Sequence, residues 1–155
     1  MKWFTNLQVK YKALSLKSNL NEGLGNLEKG KKMYLSNQIQ AALDYLDHAI
    51  NLGLDTGAYE IRANCFQKLD YHSKAIDDYD KAIEINPFEF SHYYSRAVSK
   101  KAIFDIPGQI EDLHNAIYYY KKHSIEENSL LKTFENDLLT AKTYIESLKQ
   151  NINES

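Results

Sequence analysis

The fold is decided by the stretch GAYEIRANCFQKLDYHSKAIDDYDKAIEINP, residues 57–87. Its second half places apolar side chains at i, i+1, i+4, i+7 and i+8, which form one stripe on a helix. The members of this stripe are Ala75, Ile76, Tyr79, Ala82 and Ile83. The first half repeats the pattern more loosely, through Tyr59, Ala63, Phe66 and Leu69. Residues 70–72 interrupt both stripes, so the stretch predicts two antiparallel helices joined by a short turn.

The octet of the second helix occurs three times. The copies LDYLDHAI, IDDYDKAI and IEDLHNAI begin at residues 43, 76 and 110, which gives steps of 33 and 34 residues. The small residue of each first helix, at Gly30, Ala63 and Ala97, repeats the same two steps. A two-helix unit with this period indicates a stacked helical repeat.

The central unit resembles a tetratricopeptide repeat. It carries the residue types of that family at seven characteristic positions, which are Tyr59, Ala63, Phe66, Ala75, Tyr79, Ala82 and Pro87. Arg62 stands where the family usually has leucine. The resemblance implies an all-α chain, a right-handed α-solenoid of three helix-turn-helix repeats with flanking N- and C-terminal helices. The boundaries it implies are 1–21 for a basic N-terminal segment, 22–122 for the repeats (23–55, 56–89 and 90–122), and 123–155 for a C-terminal capping helix and tail.

The outer repeats depart from the family pattern. Asn26 replaces the large aromatic residue of the first repeat, and in the third repeat Lys100 replaces an aromatic residue. Gln109 takes the place of the alanine that normally lets the two helices touch. We therefore expect looser packing in the third repeat.

Composition narrows the classes of partner. A formal net charge of −2 and a pI near 6.2 give the whole chain no general attraction to nucleic acid or to an anionic membrane. A single cysteine, Cys65, forms no internal disulfide and favours a reducing compartment. No apolar run reaches the roughly 18 residues of a membrane helix. We expect a cytoplasmic protein without an integral membrane segment, and a monomer is favoured.

The N-terminal segment 1–21 contains four lysines and no acidic residue. Trp3, Leu7, Tyr11 and Leu14 follow helical spacing within it. Two interpretations remain open, a basic helix that lies on a membrane surface or partner, and the favoured one, a helix that caps the first repeat. A mitochondrial presequence is a third alternative, although such segments are rich in arginine and this one has none.

The C-terminal segment reads as one long amphipathic helix. Ser124 and Glu127 match the capping box S-x-x-E. Apolar residues then recur every three or four positions at Leu131, Phe134, Leu138, Ala141, Ile145 and Leu148. A cap over the third hairpin is favoured over a dimeric coiled coil, and we expect fraying after residue 149.

Other patterns receive ordinary structural interpretations. Gly23 and Gly25 suggest a flexible approach to the first repeat, since no strand or G-K-[ST] accompanies them. Pro87 and Pro107 suit helix starts, with Asp105 as an N-cap. The aspartates of the second helices are expected on the solvated face, and these are Asp44, Asp47, Asp77, Asp78 and Asp80. Tyr118, Tyr119 and Tyr120 point in different directions on a helix, so packing is favoured over base stacking.

No residue pattern supports catalysis. The histidines show no metal-ligand spacing and are expected on helix surfaces or in turns; they are His48, His72, His92, His114 and His123. Cys65 lies beside Phe66 and is expected to pack. We therefore predict no enzyme, no catalytic or metal site and no cofactor.

Binding is the predicted function, as an adaptor or scaffold that holds an extended peptide or helix of a protein partner in the concave groove. The first helices leave one face for this, and we call its ten residues the predicted groove. They are Leu24, Leu27, Lys31, Tyr34, Glu60, Asn64, Gln67, Tyr94, Val98 and Lys101. Tyr34 and Tyr94 are the expected anchors, unless they pack against neighbouring repeats or the end helices. The alternative function is a structural subunit that assembles through its terminal helices.

Members of the family that bind chaperone tails hold a C-terminal carboxylate with lysine, asparagine and arginine side chains. The resemblance to that subset is partial, because Asn64 occupies one such position while Lys31, Leu27, Ser91 and Ser95 occupy others. Chaperone-tail binding is therefore not predicted.

Overall fold

The structure is a computed structural model that describes residues 2–55, 57–123 and 128–153. Helix accounts for all the regular secondary structure within these ranges, with no strand among them. The seven helices are α1 (Lys2–Leu35), α2 (Ile39–Asn51), α3 (Ala58–Lys68), α4 (His72–Ile85), α5 (Phe90–Ala102), α6 (Ile106–His123) and α7 (Ser129–Asn153). The chain forms two compact units, Met1–Cys65 and Phe66–Ser155, with the boundary inside α3.

The same backbone motif closes α1, α3 and α5. Asn37, Asp70 and Phe104 have φ values of 59°, 58° and 63°, in the left-handed region. The residue that follows each donates its N–H five positions back, with N···O distances of 2.8–2.9 Å, to Met33, Phe66 and Lys100. These bonds satisfy carbonyl groups at the helix ends. Because the motif recurs at steps of 33 and 34 residues, the backbone has the period found in the sequence.

In the first unit, α1 packs closely on α2. Ala42, Leu46 and Ala49 are fully buried. A Cβ atom on Gly30 would lie 2.8 Å from Cγ of Leu46, so only glycine allows this approach. Gly23 meets residues at the far end of α2, which makes the two helices antiparallel.

The N-terminal segment is not a separate element. It continues without a break into the first helix of the first repeat, and Gly23 and Gly25 lie inside α1 instead of forming a flexible approach. Because α2 ends opposite Gly23, the preceding part of α1 extends beyond α2. Every residue from 8 to 20 whose side chain is described is exposed.

In the second unit, aromatic residues of α5, α6 and α7 form the core. Tyr93, Ala116, Tyr120, Leu131 and Phe134 make one buried cluster. The ring of Phe90 meets Tyr120 edge to face at 5.0 Å between centroids. α7 therefore packs on the hairpin of α5 and α6 through Leu131, Phe134 and Ala141, whereas Leu148, farther along the same stripe, is exposed.

Several helix ends differ from those expected. α7 begins at Ser129, where Asn128 Oδ1 accepts from the N–H groups of Leu130 and Leu131, and it continues to Asn153 past the expected point of fraying. Ser124 and Glu127 lie outside the described residues.

The two prolines behave differently from each other. Asp105 accepts from Gly108 N at 3.0 Å, as expected of an N-cap, and Pro107 lies in the first turn of α6. Pro87 instead lies in the turn before α5, whose N-cap is Glu89.

Candidate functional site

The first unit carries four residues of the predicted groove on α1. Leu24 is 46% exposed and Lys31 is exposed, whereas Leu27 and Tyr34 are partly buried. Lys31 makes no ion pair with any residue that the structure describes. We call Leu24, Leu27 and Lys31 the α1 patch, an apolar surface with one available positive charge.

Tyr34 belongs partly to the packing of the first unit. Burial raises the pKa of its hydroxyl above the ordinary value, with smaller contributions from the charges of Cys65 and Glu60. The structure therefore brings Tyr34 close to α3. Glu60 and Asn64, the groove residues of α3 in this unit, are also partly buried.

Gln67 has a structural role in the second unit. Its Nε2 donates to Ser95 O and to Ser99 Oγ, both at 2.7 Å, and its Oε1 accepts from Tyr79 Oη at 2.8 Å. The amide thus uses both of its donors and its acceptor within the fold. It has little capacity left to bind a partner.

Tyr94 packs against α7. The sequence left this packing role open as the alternative to partner binding. Its hydroxyl donates to Asp137 Oδ2 at 3.0 Å, and its ring lies 4.4 Å from that of Phe134. Burial and the bond to Asp137 raise the pKa of Tyr94 to about 12. No local sequence pattern connects residues 94 and 137, so only the packing of α7 reveals this contact.

Val98 and Lys101 remain accessible on α5, and we call them the α5 patch. Val98 is 42% exposed, and Lys101 is exposed with no ion pair among the described residues. Lys101 borders a pocket of about 250 Å³ whose lining is mainly apolar. Its walls include Phe104, Ile106, Gln109, Thr140, Ala141 and Tyr144.

Solved structures supply the comparison, since no protein-family model and no curated protein sequence matches the chain. The Arabidopsis OM64 TPR domain is 23% identical, with a TM-score of 0.69 over 79% of this chain and 98% of that one. The TPR2B domain of yeast Sti1, in a complex with pHsp70, is 20% identical, with a TM-score of 0.70 over 79% of this chain and 98% of that domain. This chain has the tetratricopeptide-repeat fold. The second TPR domain of human RPAP3, in complex with the HSP70 peptide SGPTIEEVD, is 12% identical, with a TM-score of 0.66 over 82% of this chain and 98% of that domain.

A buried ion cluster stabilises the third tetratricopeptide repeat. Asp112 has no exposed side-chain surface, and it accepts from Arg96 Nε at 2.9 Å and Arg96 Nη2 at 2.6 Å. Lys100 Nζ lies 2.9 Å from the same carboxylate, and Arg96 also donates to Asp80. Lys100 therefore neutralises a buried charge, contrary to the expectation that it would loosen the packing.

The arginine position recurs one repeat earlier, where the family usually has leucine. Arg62 Nη1 lies 2.6 Å from Asp47 Oδ1, and its guanidinium lies 5.5 Å from the ring centre of Tyr59. Arg96 stands over Tyr93 in the same way, at 5.8 Å. The 34-residue spacing of the two arginines was the sequence signal for these ion pairs.

Two expectations of solvent exposure are wrong. Asp78 is 5% exposed and lies in the core of its unit, although it was expected on the solvated face. His92 is 6% exposed, although the histidines were expected on helix surfaces or in turns.

The tyrosine run at residues 118–120 packs in part. Tyr120 is buried, whereas Tyr118 is exposed.

No metal or membrane-spanning feature is found in the part of the chain that the structure describes. There, no group of three or more His, Cys, Asp and Glu side chains is arranged to hold an ion. None of the helices there has the length and apolar character needed to cross a bilayer.

Proposed function

We propose that this tetratricopeptide-repeat chain is a protein-interaction module that binds an extended, partly apolar peptide of a protein partner along its first helices. The observation that carries the proposal is that each of two first helices has an exposed aliphatic side chain beside a lysine that makes no ion pair with the residues described. On α1 these are Leu24 and Lys31, and on α5 they are Val98 and Lys101. The proposal includes no enzymatic activity and no cofactor.

The chemistry of the patches defines the expected peptide. Aliphatic side chains of the peptide would cover Leu24, Leu27 and Val98, which removes apolar surface from water. A carboxylate of the peptide would pair with Lys31 or Lys101. Gln67 and Tyr94 are omitted because the fold already engages them, and Tyr34 contributes only the part of its ring that stays accessible.

The structural neighbours support peptide binding only through their fold. The yeast Sti1 domain was solved with pHsp70 and the human RPAP3 domain with the peptide SGPTIEEVD. Leu27, Ser91 and Ser95 depart from the residues that hold a chaperone tail, so we propose a different peptide class. We also propose a monomer, and a cytoplasmic location, because a single cysteine, Cys65, allows no internal disulfide and favours a reducing compartment.

A peptide selection tests this proposal. The full chain is used to select binders from a phage-displayed random peptide library, and calorimetry measures the best binder against Leu24→Ser and Lys31→Glu. Leu139→Ser and Lys132→Glu on α7 are the matched controls, since both residues are exposed. We expect each α1 change to weaken binding about tenfold or more and the controls to have no effect.

The acidic peptide SGPTIEEVD serves as a second probe. We expect the chain to bind it more weakly than the selected peptides. Equal affinity of all variants for the selected peptides, or failure of the library to yield any binder, would contradict the proposal.

A further inference from the structure

The N-terminal half of α1 presents an apolar stripe that no described residue of its unit covers. Val9, Leu16 and Leu20 are 68%, 62% and 51% exposed, and Leu24 extends the same stripe. Their steps of seven, four and four residues place them on one side of the helix. Because α2 ends opposite Gly23, no residue of α2 covers the stripe from Val9 to Leu20, and these side chains are exposed.

Lysines border the stripe on both sides. With 3.6 residues per turn, Lys12 lies within about 90° on one side, and Lys10 and Lys17 lie within about 90° on the other. All three are exposed. The opposite side is mixed. It carries the polar residues Gln8, Ser15 and Glu22 and the exposed Leu14, and helical spacing places Trp3, Leu7 and Tyr11 there as well.

Charge is distributed very unevenly along the chain. Segment 1–21 holds four of the 19 basic side chains and none of the 21 acidic ones, although the whole chain has a net charge of −2. A helix with this arrangement can lie in a membrane interface, with its apolar stripe among the acyl chains and its lysines at the phosphate level.

We propose that the N-terminal half of α1 binds the surface of an anionic lipid bilayer through Val9, Leu16 and Leu20, with Lys10, Lys12 and Lys17 at the headgroups. This inference is independent of the proposed peptide binding. The cytoplasmic leaflet is anionic and attracts such lysines. A second copy of the same segment is disfavoured as the occupant, because pairing two such faces would place lysines beside lysines with no acidic residue to compensate.

Vesicle co-sedimentation of the full chain tests the proposal. Vesicles of phosphatidylcholine alone are compared with vesicles in which phosphatidylserine replaces part of the phosphatidylcholine, at low and at physiological salt. We expect binding only to the anionic vesicles, weakened by salt. Each lysine near the surface contributes roughly fivefold to partitioning, so changing Lys10, Lys12 and Lys17 to Gln should weaken binding on the order of a hundredfold.

The chain offers a matched control for those substitutions. Lys132, Lys142 and Lys149 are exposed on α7 and make no ion pair among the described residues, and changing them to Gln removes the same charge. We expect this control variant to bind like the original protein. The pair Leu16→Ser and Leu20→Ser should weaken binding about tenfold or more, with the helical circular dichroism signal retained.

Three results would overturn the proposal. One is equal binding to neutral and anionic vesicles, or none to either. Another is equal loss of binding in the α1 and α7 lysine variants. The third is light scattering that shows a dimer, broken by the leucine changes while lipid binding is unaffected, which would assign the stripe to self-association.

Discussion

Replacement of Arg96 by methionine tests the buried ion cluster of the third repeat. The change keeps most of the aliphatic stem but removes the guanidinium that makes two hydrogen bonds to Asp112. Asp112 has no exposed side-chain surface, so water cannot replace those bonds. Lys100, at 2.9 Å, remains as its charged partner.

The expected cost follows from this geometry. Breaking a buried ion pair by removing one partner costs about 3–5 kcal/mol. Because Lys100 still offsets part of the charge of Asp112, we expect the lower end, about 3 kcal/mol. For a chain of this length that corresponds to a fall in Tm of roughly 6–12 °C.

Urea titration and thermal melting followed by circular dichroism measure the change. The control is Lys121→Met, because Lys121 and Glu135 form a 2.8 Å pair with side chains 52% and 46% exposed, and such pairs contribute about 0–1 kcal/mol. Changing Arg96, Lys100 and Asp112 together to apolar residues should recover most of the loss. If Arg96→Met melts like the control, Asp112 is not desolvated as described.

Four further substitutions test particular positions. Gly30→Ala should destabilise the chain by about 1–3 kcal/mol, because the added methyl group would clash with Leu46. Gly25 has open space around it, so Gly25→Ala should stabilise the chain by about 0.5–1 kcal/mol. Equal effects of the two changes in urea titration would contradict this contrast. Phe104→Asn should stabilise by about 1 kcal/mol, because Phe104 is 79% exposed at a φ of 63°; a lower Tm would refute this. Because the folded pKa of Tyr94 is raised from 10.0 to about 12, its contribution to stability is complete below pH 10 and declines as the pH rises to 12. Tyr94→Phe should flatten that decline in urea titrations across this range, and an unaltered pH dependence would show that Tyr94 is not its source.

The repeat pattern made the hairpins predictable from sequence. The steps of 33 and 34 residues that relate Gly30, Ala63 and Ala97 also relate the left-handed residues that end α1, α3 and α5. Two of those residues, Asn37 and Asp70, are types that tolerate this conformation. The hairpins and the ends of their first helices were predictable because they depend on contacts between residues that are close in sequence.

Features that depend on distant packing were missed. Glycine lowers helix propensity, so Gly23 and Gly25 favoured a break, yet packing of Gly23 beside Leu52 and Leu54 keeps α1 continuous. Tyr94 lost its predicted role because Asp137, 43 residues away, reaches it from α7.

The exposure of the predicted groove residues could therefore be anticipated only in part. Sequence periodicity identifies which residues share a helix face, and Leu24, Lys31, Val98 and Lys101 do remain accessible. Periodicity does not show which residues of that face another helix will cover. Exposure of each side chain has to come from the structure.

Binding along the first helices is measured directly by titrating isotope-labelled protein with the tightest library-selected peptide and following the amide chemical shifts. We expect the largest shift changes around the α1 patch, at Leu24, Leu27 and Lys31, and around the α5 patch. Outward residues of the second helices, such as Asp44 and Asp77, should keep their shifts. Changes concentrated on α2, α4 or α6, with the α1 and α5 patches unaffected, would contradict binding along the first helices.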